Sequence, residues 1–152
     1  MKLSKRLEAV ATLVDVGKRV IDVGCDHGYL DIYLTLNNEN KCVATDINQN
    51  ALNSAVNNIK KYNLEGKIET ILTDGLKNIK VNKKDNIVIC GMGTSTILDI
   101  LKTNNLSNTL IISSNNNILN SSSSRACLIC RKLFLPLILL DFKSLYRLYR
   151  KC

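Results

Sequence analysis

The chain contains 152 residues, of which 45% are hydrophobic, and this is enough for one domain with a buried core. No apolar stretch approaches the roughly 20 residues that a membrane-spanning helix needs, and the opening residues MKLSKRL lack the apolar core of a secretion signal. These features argue against a membrane or secreted protein. We expect a cytoplasmic protein without membrane association, whose six cysteines need no disulfides.

The net charge of +8 is unevenly distributed along the chain. Residues 1–112 are nearly balanced, with 14 Lys and Arg against 12 Asp and Glu, whereas residues 113–152 carry seven basic residues and a single acid, Asp141. Both phenylalanines, the only proline and a run of four serines also lie in this second part. We therefore predict a folded domain over residues 1–114 and a basic tail of different character over residues 115–152.

The spacing of apolar residues predicts helices that alternate with strands. The predicted helices span residues 3–14, 29–36, 48–64 and 94–104, and Ser4 and Asn48 are expected to cap the first and third. The predicted strands span residues 19–24, 41–47, 67–72, 86–91 and 108–115. This alternation predicts an α/β fold, a mostly parallel sheet with helices on both faces, in which ligands bind at the carboxyl ends of the strands.

A glycine loop, GCDHG, follows the first predicted strand. Gly24 and Gly28 allow a sharp turn and a close approach of the backbone to a ligand, although a tight turn that binds nothing is an alternative. The dinucleotide pattern G-x-G-x-x-G is not met, because Asp26 stands where the second glycine belongs and would repel a pyrophosphate. A cationic or neutral ligand such as S-adenosylmethionine fits better.

Acidic residues also follow the second and third predicted strands. Asp46 lies 22 positions after Gly24, from where a carboxylate reaches ribose hydroxyls in nucleotide-binding folds, or else it favours the start of the following helix. Asp74 could accept from an adenine amino group, or could be part of an ordinary Asp-Gly turn. After the fourth strand, Gly91 and Gly93 flank Met92 and would let the backbone approach a methyl donor. The Asn/Asp-Pro-Pro-aromatic loop of many amino-methyltransferases is absent from this position.

The segments LSKRLEAVA, VIDVGCDHGYLDIYL, ATDIN, TDGL and GMG occur in this order. In order and spacing the sequence resembles the bacterial tRNA (adenine-22-N1)-methyltransferase family over residues 1 to about 114. The resemblance implies a Rossmann-like class I methyltransferase with S-adenosylmethionine as cofactor and tRNA as partner. The implied cofactor contacts are Asp22, Gly24, Cys25 and Gly28 at the methionine end, Asp46 and Ile47 at the ribose, Asp74 and Gly75 at the adenine, and Gly91, Met92 and Gly93 beside the methyl group.

The resemblance also implies that Asp26 and His27 stand beside the target base as catalytic residues. Adenine N1 can attack a methyl group through its in-plane lone pair, so catalysis consists mainly of positioning, and Asp26 would accept from the exocyclic amine. His27 is the only histidine, and a loop residue bonded to backbone is its alternative. Arg6 and Thr94 are candidate substrate contacts, with a solvated helix residue and a helix cap as the alternatives. Without paired Cys or His spacing, we expect no metal.

The tail matches neither the further sheet strands nor the helical arm that the family carries, so we expect these parts to be incomplete. Three interpretations compete: a truncated or frame-shifted end, which we favour, a basic amphipathic segment for RNA or an anionic membrane surface, and the last helix and strand of the sheet. The alternatives to tRNA methylation are an impaired cofactor-binding remnant and a methyltransferase for a small molecule or a protein.

Overall fold

The computed structural model describes residues 1–104, 106, 108–114 and the backbone of 138–141. The helices are α1 (Lys5–Ala11), α2 (Tyr29–Asn37), α3 (Gln49–Lys61) and α4 (Thr94–Thr103). The strands are β1 (Arg19–Val23), β2 (Lys41–Asp46), β3 (Ile68–Leu72), β4 (Asn86–Met92), β5 (Thr109–Ser114) and β6 (Ile138–Asp141). The four helices and first five strands confirm the predicted elements, and the side chains of Ser4 and Asn48 cap α1 and α3 as expected.

The strands form one sheet in the order β3-β2-β1-β4-β5-β6. The first five are parallel, and β6 pairs with β5 in the antiparallel direction. The predicted Rossmann-like class is therefore confirmed. Ile138–Asp141 lie in the predicted tail and add an edge strand, whereas residues 115–137 and 142–152 lie outside the described residues, so the domain boundary and the three interpretations of the tail stay predictions.

Alternate residues of the central strands face two separate apolar clusters, one on each side of the sheet. On one side Val20 and Val88 pack with α1, α2 and α3, and on the other Ile21 and Ile87 pack with α4. Both faces of the central strands are covered, which explains why RVIDV and NIVIC are almost continuously apolar.

Polar side chains tie together the amino ends of the strands. Arg19 Nη1 donates to Asp85 Oδ2 at 2.8 Å, and the amide of Asn40 donates to the carbonyls of Asp15 and Lys18 at 2.9 and 2.7 Å. These contacts join the segments that lead into β1, β2 and β4. The opposite, carboxyl ends of the same strands are left for other contacts.

The order of the strands creates a crevice at the carboxyl ends of β1 and β4. From β1 the chain moves outward to β2 and β3, and then returns through residues 73–85 to β4 on the other side of β1. The loops after β1 and β4 therefore leave the sheet in opposite directions. Ligands of open α/β sheets bind at such a switch point.

Candidate functional site

An open cavity of about 380 Å³ lies at the carboxyl ends of β1, β2 and β4, a volume within the usual range for small-ligand sites. Its walls also include residues of α1 and the start of α2. Nine of the residues predicted for cofactor, substrate or catalysis line it, namely Arg6, Asp22, Gly24, Cys25, Asp26, His27, Asp46, Gly91 and Met92. The fold thus brings together residues that are up to 86 positions apart, from Arg6 to Met92.

The loop after β1 is held against the end of β2 by its own backbone. The N–H groups of Gly24 and Cys25 both donate to the carbonyl of Thr45, each at 2.8 Å, and Gly28 N–H closes the turn by donating to the carbonyl of Cys25 at 2.8 Å. This path requires positive φ angles of 82° at Gly24, 51° at Asp26 and 69° at Gly28. Glycine adopts them without strain, whereas Asp26 is among the few residue types that tolerate them.

Gly24 is also where the loop after β1 meets the end of β4. A Cβ atom built on Gly24 would collide with Cε of Met92, so the terminal methyl of Met92 lies almost directly over the glycine backbone. Gly28 has a similar role toward α3, because its Cβ would lie 3.1 Å from that of Ala55. The two glycines therefore allow the close packing that forms one wall of the cavity.

Asp46 organises the loop with both of its carboxylate oxygens. Oδ2 accepts from the backbone N–H of Asp26 at 3.1 Å, and Oδ1 accepts from that of Asn48 at 2.8 Å. Each oxygen keeps a lone pair for a further donor, such as a hydroxyl group of a ligand. Asp46 thus joins the loop after β1 to the start of α3 and still faces the cavity.

Asp26 and His27 lie at the mouth of the cavity. Their side chains are 73% and 51% exposed, and Nε2 of His27 is 3.6 Å from Oδ1 of Asp26. The carbonyl of His27 accepts from the amide of Asn58 at 3.0 Å, which fixes the loop to α3. Beside this pair, the His27 and Tyr29 rings lie 5.8 Å apart between centroids. An acid, an imidazole and a phenol are therefore available to a group that enters from solvent.

The lining carries more negative than positive charge. Asp22, Asp26 and Asp46 contribute three carboxyl groups, against the guanidinium of Arg6. Among the described lining residues Arg6 is the only Lys or Arg. A polyphosphate would meet repulsion here, whereas a ligand with cationic and hydroxyl groups would find acceptors.

Asp22 differs from the other two acids because it is buried and lies beside a second buried acid, Asp31 of α2. Burial raises the pKa of Asp22 to about 7, and burial together with the charge of Asp22 raises the pKa of Asp31 well above its usual range. Burial also raises the pKa of the Cys25 and Cys90 thiols, so both stay protonated at neutral pH. Burial therefore favours the protonated forms of both acids.

Six of the predicted residues do not line the cavity: Gly28, Ile47, Asp74, Gly75, Gly93 and Thr94. Ile47 is 70% exposed. Asp74 forms an ion pair with Lys77 at 2.5 Å, and a Cβ on Gly75 would lie 3.1 Å from Cγ1 of Ile100. Gly93, not Thr94, is the N-cap of α4, and the Thr94 hydroxyl lies 3.3 Å from that of Ser114. The ligand contacts proposed for these six residues stay predictions.

Four lining residues had no predicted role in the site: Leu7, Tyr29, Leu30 and Cys90. Tyr29 directly follows Gly28, and Cys90 directly precedes Gly91, so their neighbours in sequence indicated where they would lie. Nothing in the sequence around Leu7 indicates that it lies in the site, because its apolar helical spacing is equally typical of a core residue.

Among the described residues, no group of three His, Cys, Asp or Glu side chains is arranged to hold a metal ion. In the same part of the chain, no helix has both the length and the apolar character needed to cross a bilayer. The expectation that the protein uses no metal stays a prediction.

The fold and the cavity define a Rossmann-like protein with an acidic cavity at its switch point. A family model described as a methyltransferase domain matches residues 3–132, which is most of the chain. The chain therefore belongs to the methyltransferase domain family.

Three relatives show which members of the family are similar. The tRNA (adenine(22)-N(1))-methyltransferase of Bacillus subtilis (strain 168) is 38% identical over 103 residues, covering 67% of this chain and 43% of that protein. The structure of M. capricolum TrmK in complex with S-adenosyl-homocysteine is 43% identical with a TM-score of 0.70, covering 77% of this chain and 54% of that one. The ribosomal protein L11 methyltransferase of Staphylococcus epidermidis (strain ATCC 12228 / FDA PCI 1200) is 36% identical over 105 residues, covering 69% of this chain and 32% of that protein. The chain spans about half the length of these relatives or less.

The contact between Gly24 and Met92 predicts a specific response to a methyl group at position 24. Gly24→Ala should push the Met92 methyl into the cavity, and Gly17→Ala is the matched control because Gly17 also has a positive φ, 72°, but has open space around it. Both variants should lose about 1 kcal/mol of stability from backbone strain. The chain has only two methionines, so the methyl resonance of Met92 is easily assigned by NMR. It should shift in Gly24→Ala alone, and an unchanged resonance would contradict the close approach.

The buried acid pair predicts how stability depends on pH. A carboxyl group with a raised pKa keeps its proton in the folded protein at a pH at which the unfolded chain has lost it. Raising the pH from about 5 toward 7 should therefore lower the free energy of unfolding by about 1 kcal/mol for each pH unit. Urea unfolding at several pH values measures this slope. Asp22→Asn, which removes the group whose pKa sets this slope, should reduce it, whereas Asp99→Asn, at an acid with a 75% exposed side chain, should leave it unchanged.

Proposed function

We propose that this chain is an S-adenosylmethionine-dependent methyltransferase that methylates N1 of an adenine in tRNA, at the position that the B. subtilis relative modifies. The observation that carries the proposal is the acidic cavity at the switch point of a methyltransferase domain, in a chain that is 43% identical to a TrmK solved with S-adenosyl-homocysteine. The cofactor, the activity and the tRNA substrate are all part of this proposal.

The residues of the cavity fit S-adenosylmethionine. Oδ1 of Asp22 is buried without a hydrogen-bond donor among the described residues, and this is what the ammonium group of the methionine end would supply. Gly24 lines the same cavity, and its lack of a side chain leaves room there for Met92. Asp46, with lone pairs to spare, would accept from the ribose hydroxyls. No phosphate has to be accommodated beside the three acids.

The cofactor, when bound, supplies an electrophilic methyl group on a sulfonium. Adenine N1 needs no deprotonation before it attacks, so the work left to the protein is to orient the ring and to stabilise the positive charge that develops on it. Asp26, exposed at the mouth, would accept from the exocyclic N6–H and offset this charge. It would then accept a proton if the product loses one.

His27 and Tyr29 would complete the base site. Their rings lie side by side at the mouth, next to Asp26, where an adenine could be stacked or bonded at its edge. Arg6 lies in the same cavity and would contact the cofactor carboxylate or a tRNA phosphate. Thr94, at the start of α4, would be a more distant substrate contact.

A second candidate function is methylation of a protein. The 36% identity to a ribosomal protein L11 methyltransferase favours it, and so does the near balance of charge in residues 1–112, which lack the strong basic excess of an RNA-binding surface. The cofactor site would be the same for either substrate. Only the acceptor of the methyl group differs.

The test is transfer of a radiolabelled methyl group from S-adenosylmethionine to three acceptors. These are an unmodified tRNA transcript with adenine at position 22, the same transcript with guanine there, and ribosomal protein L11. We expect transfer to the adenine transcript alone. Asp26→Asn should lower kcat at least about tenfold, because a carboxylate bonded to the reacting base is lost.

Asp99→Asn is the matched control, since the Asp99 side chain is 75% exposed, close to the 73% of Asp26, and lies on α4 away from the cavity. Its kcat should equal that of the unaltered chain. Transfer to L11 but to neither transcript would favour the second candidate. Binding of the cofactor without transfer to any acceptor would contradict both.

A further inference from the structure

The loop after β1 carries two consecutive residues, Asp26 and His27, whose backbone is held by two different side chains. The N–H of Asp26 donates to Oδ2 of Asp46, at the end of β2, at 3.1 Å. The carbonyl of His27 accepts from the amide of Asn58, in the last turn of α3, at 3.0 Å. Asp46 lines the cavity, whereas Asn58 does not. Asn58 therefore acts on this loop from outside the cavity.

The face of α3 that meets the loop presents a donor beside a small side chain. Ala55 and Asn58 are three positions apart, so they lie on one face of the helix. A Cβ atom on Gly28 would lie 3.1 Å from that of Ala55, so the loop passes close to the helix directly after His27. From this face the short amide of Asn58 reaches the carbonyl of His27. The contact fixes the orientation of the peptide group between His27 and Gly28.

The first half of the loop is held by other contacts. The N–H groups of Gly24 and Cys25 both donate to the carbonyl of Thr45 at 2.8 Å, and neither bond involves a side chain of α3. The side chains of Asp26 and His27 are more than half exposed, so their positions at the mouth of the cavity depend on the backbone that carries them. The contact from α3 therefore bears on the part of the loop at the mouth.

We propose that Asn58 is a positioning residue, which orients Asp26 and His27 toward the base that receives the methyl group and leaves the binding of the cofactor unaffected. The proposal rests on the proposed function, because the base is the adenine that Asp26 would bind. With the loop displaced, the cofactor would still bind, but the base would lie at the wrong distance from the methyl group. A misplacement of about 1 Å can lower a rate about a hundredfold. Asn58 therefore contributes to kcat and not to cofactor affinity.

Asn58→Ala removes the donor, and Asn57→Ala is the matched control because Asn57 is an exposed neighbour on the same helix. Both variants should fold, since the residues that α3 buries are Leu52, Ala55 and Ile59. With the tRNA transcript that has adenine at position 22, kcat should fall about tenfold in Asn58→Ala and stay unchanged in Asn57→Ala. Affinity for S-adenosyl-homocysteine, measured by calorimetric titration, should stay within about twofold in both. A merely structural role would lower kcat and affinity together.

Asn58→Asp separates hydrogen-bond donation from shape. An ionised aspartate has nearly the size of asparagine but no N–H to donate, and it would repel the carbonyl of His27. Asn57→Asp adds the same charge at the neighbouring position. We expect kcat to fall in Asn58→Asp at least as far as in Asn58→Ala, and to stay unchanged in Asn57→Asp. Full activity of Asn58→Asp would overturn the proposal.

The ring of His27 reports the position of the loop in the unliganded chain. His27 is the only histidine, so its ring resonances are assigned in NMR spectra without ambiguity. Its ring lies 5.8 Å from that of Tyr29 between centroids, so the resonances respond to a displacement of one ring relative to the other. They should shift in Asn58→Ala and stay in place in Asn57→Ala.

The two readouts distinguish a failure of this proposal from a failure of the proposed function. Unchanged His27 resonances in Asn58→Ala, an unchanged kcat, or an equal loss of kcat and cofactor affinity would overturn the role of Asn58 and leave the proposed function intact. Absence of methyl transfer by the unaltered chain would overturn the proposed function and with it the role of Asn58 in transfer.

Discussion

The carbonyl of Thr45 is the contact on which the site depends. It accepts from two consecutive N–H groups, those of Gly24 and Cys25, and so holds the loop after β1 against the end of β2. With the loop in this path, Asp26 reaches the carboxylate of Asp46. The strand order then brings β4 and Met92 to the other side of the same loop. A backbone that left β1 by another route would build no cavity here.

The two ends of the sheet differ in whether their polar side chains have partners. At the amino ends, Arg19 and Asp85 neutralise each other, and Asn40 satisfies two loop carbonyls. At the carboxyl ends, Oδ1 of Asp22 and both carboxyl oxygens of Asp31 are buried without a hydrogen-bond partner among the described residues. Such an arrangement destabilises the empty protein, and it is found where a ligand completes the site. One end of the sheet therefore contributes stability, and the other presents polar groups that a ligand can satisfy.

Much of the fold could be predicted from the sequence, because apolar runs such as RVIDV and NIVIC are typical of strands buried on both faces. The glycine loop and Asp46 could be placed in the site since both follow strands directly. Asp31 could not, because in YLDIYLTL it occupies a helical position that is as compatible with solvent as with the core. The sequence leaves Asp74 open between an adenine contact and an ordinary Asp-Gly turn; its carboxylate pairs with Lys77, a short-range contact that strand patterns do not reveal, and the ligand contact stays a prediction.

The central claim is that S-adenosylmethionine binds at the carboxyl ends of the strands, and the glycine amides test it most directly. Gly24, Gly28 and Gly91 lie at or beside the cavity, whereas Gly17 and Gly66 lie in the loops that lead into β1 and β3 at the amino ends. Amide NMR spectra recorded during addition of the cofactor should show shifts at the first three and none at the last two. Shifts at Gly17 and Gly66, or no shift at any glycine, would contradict the account.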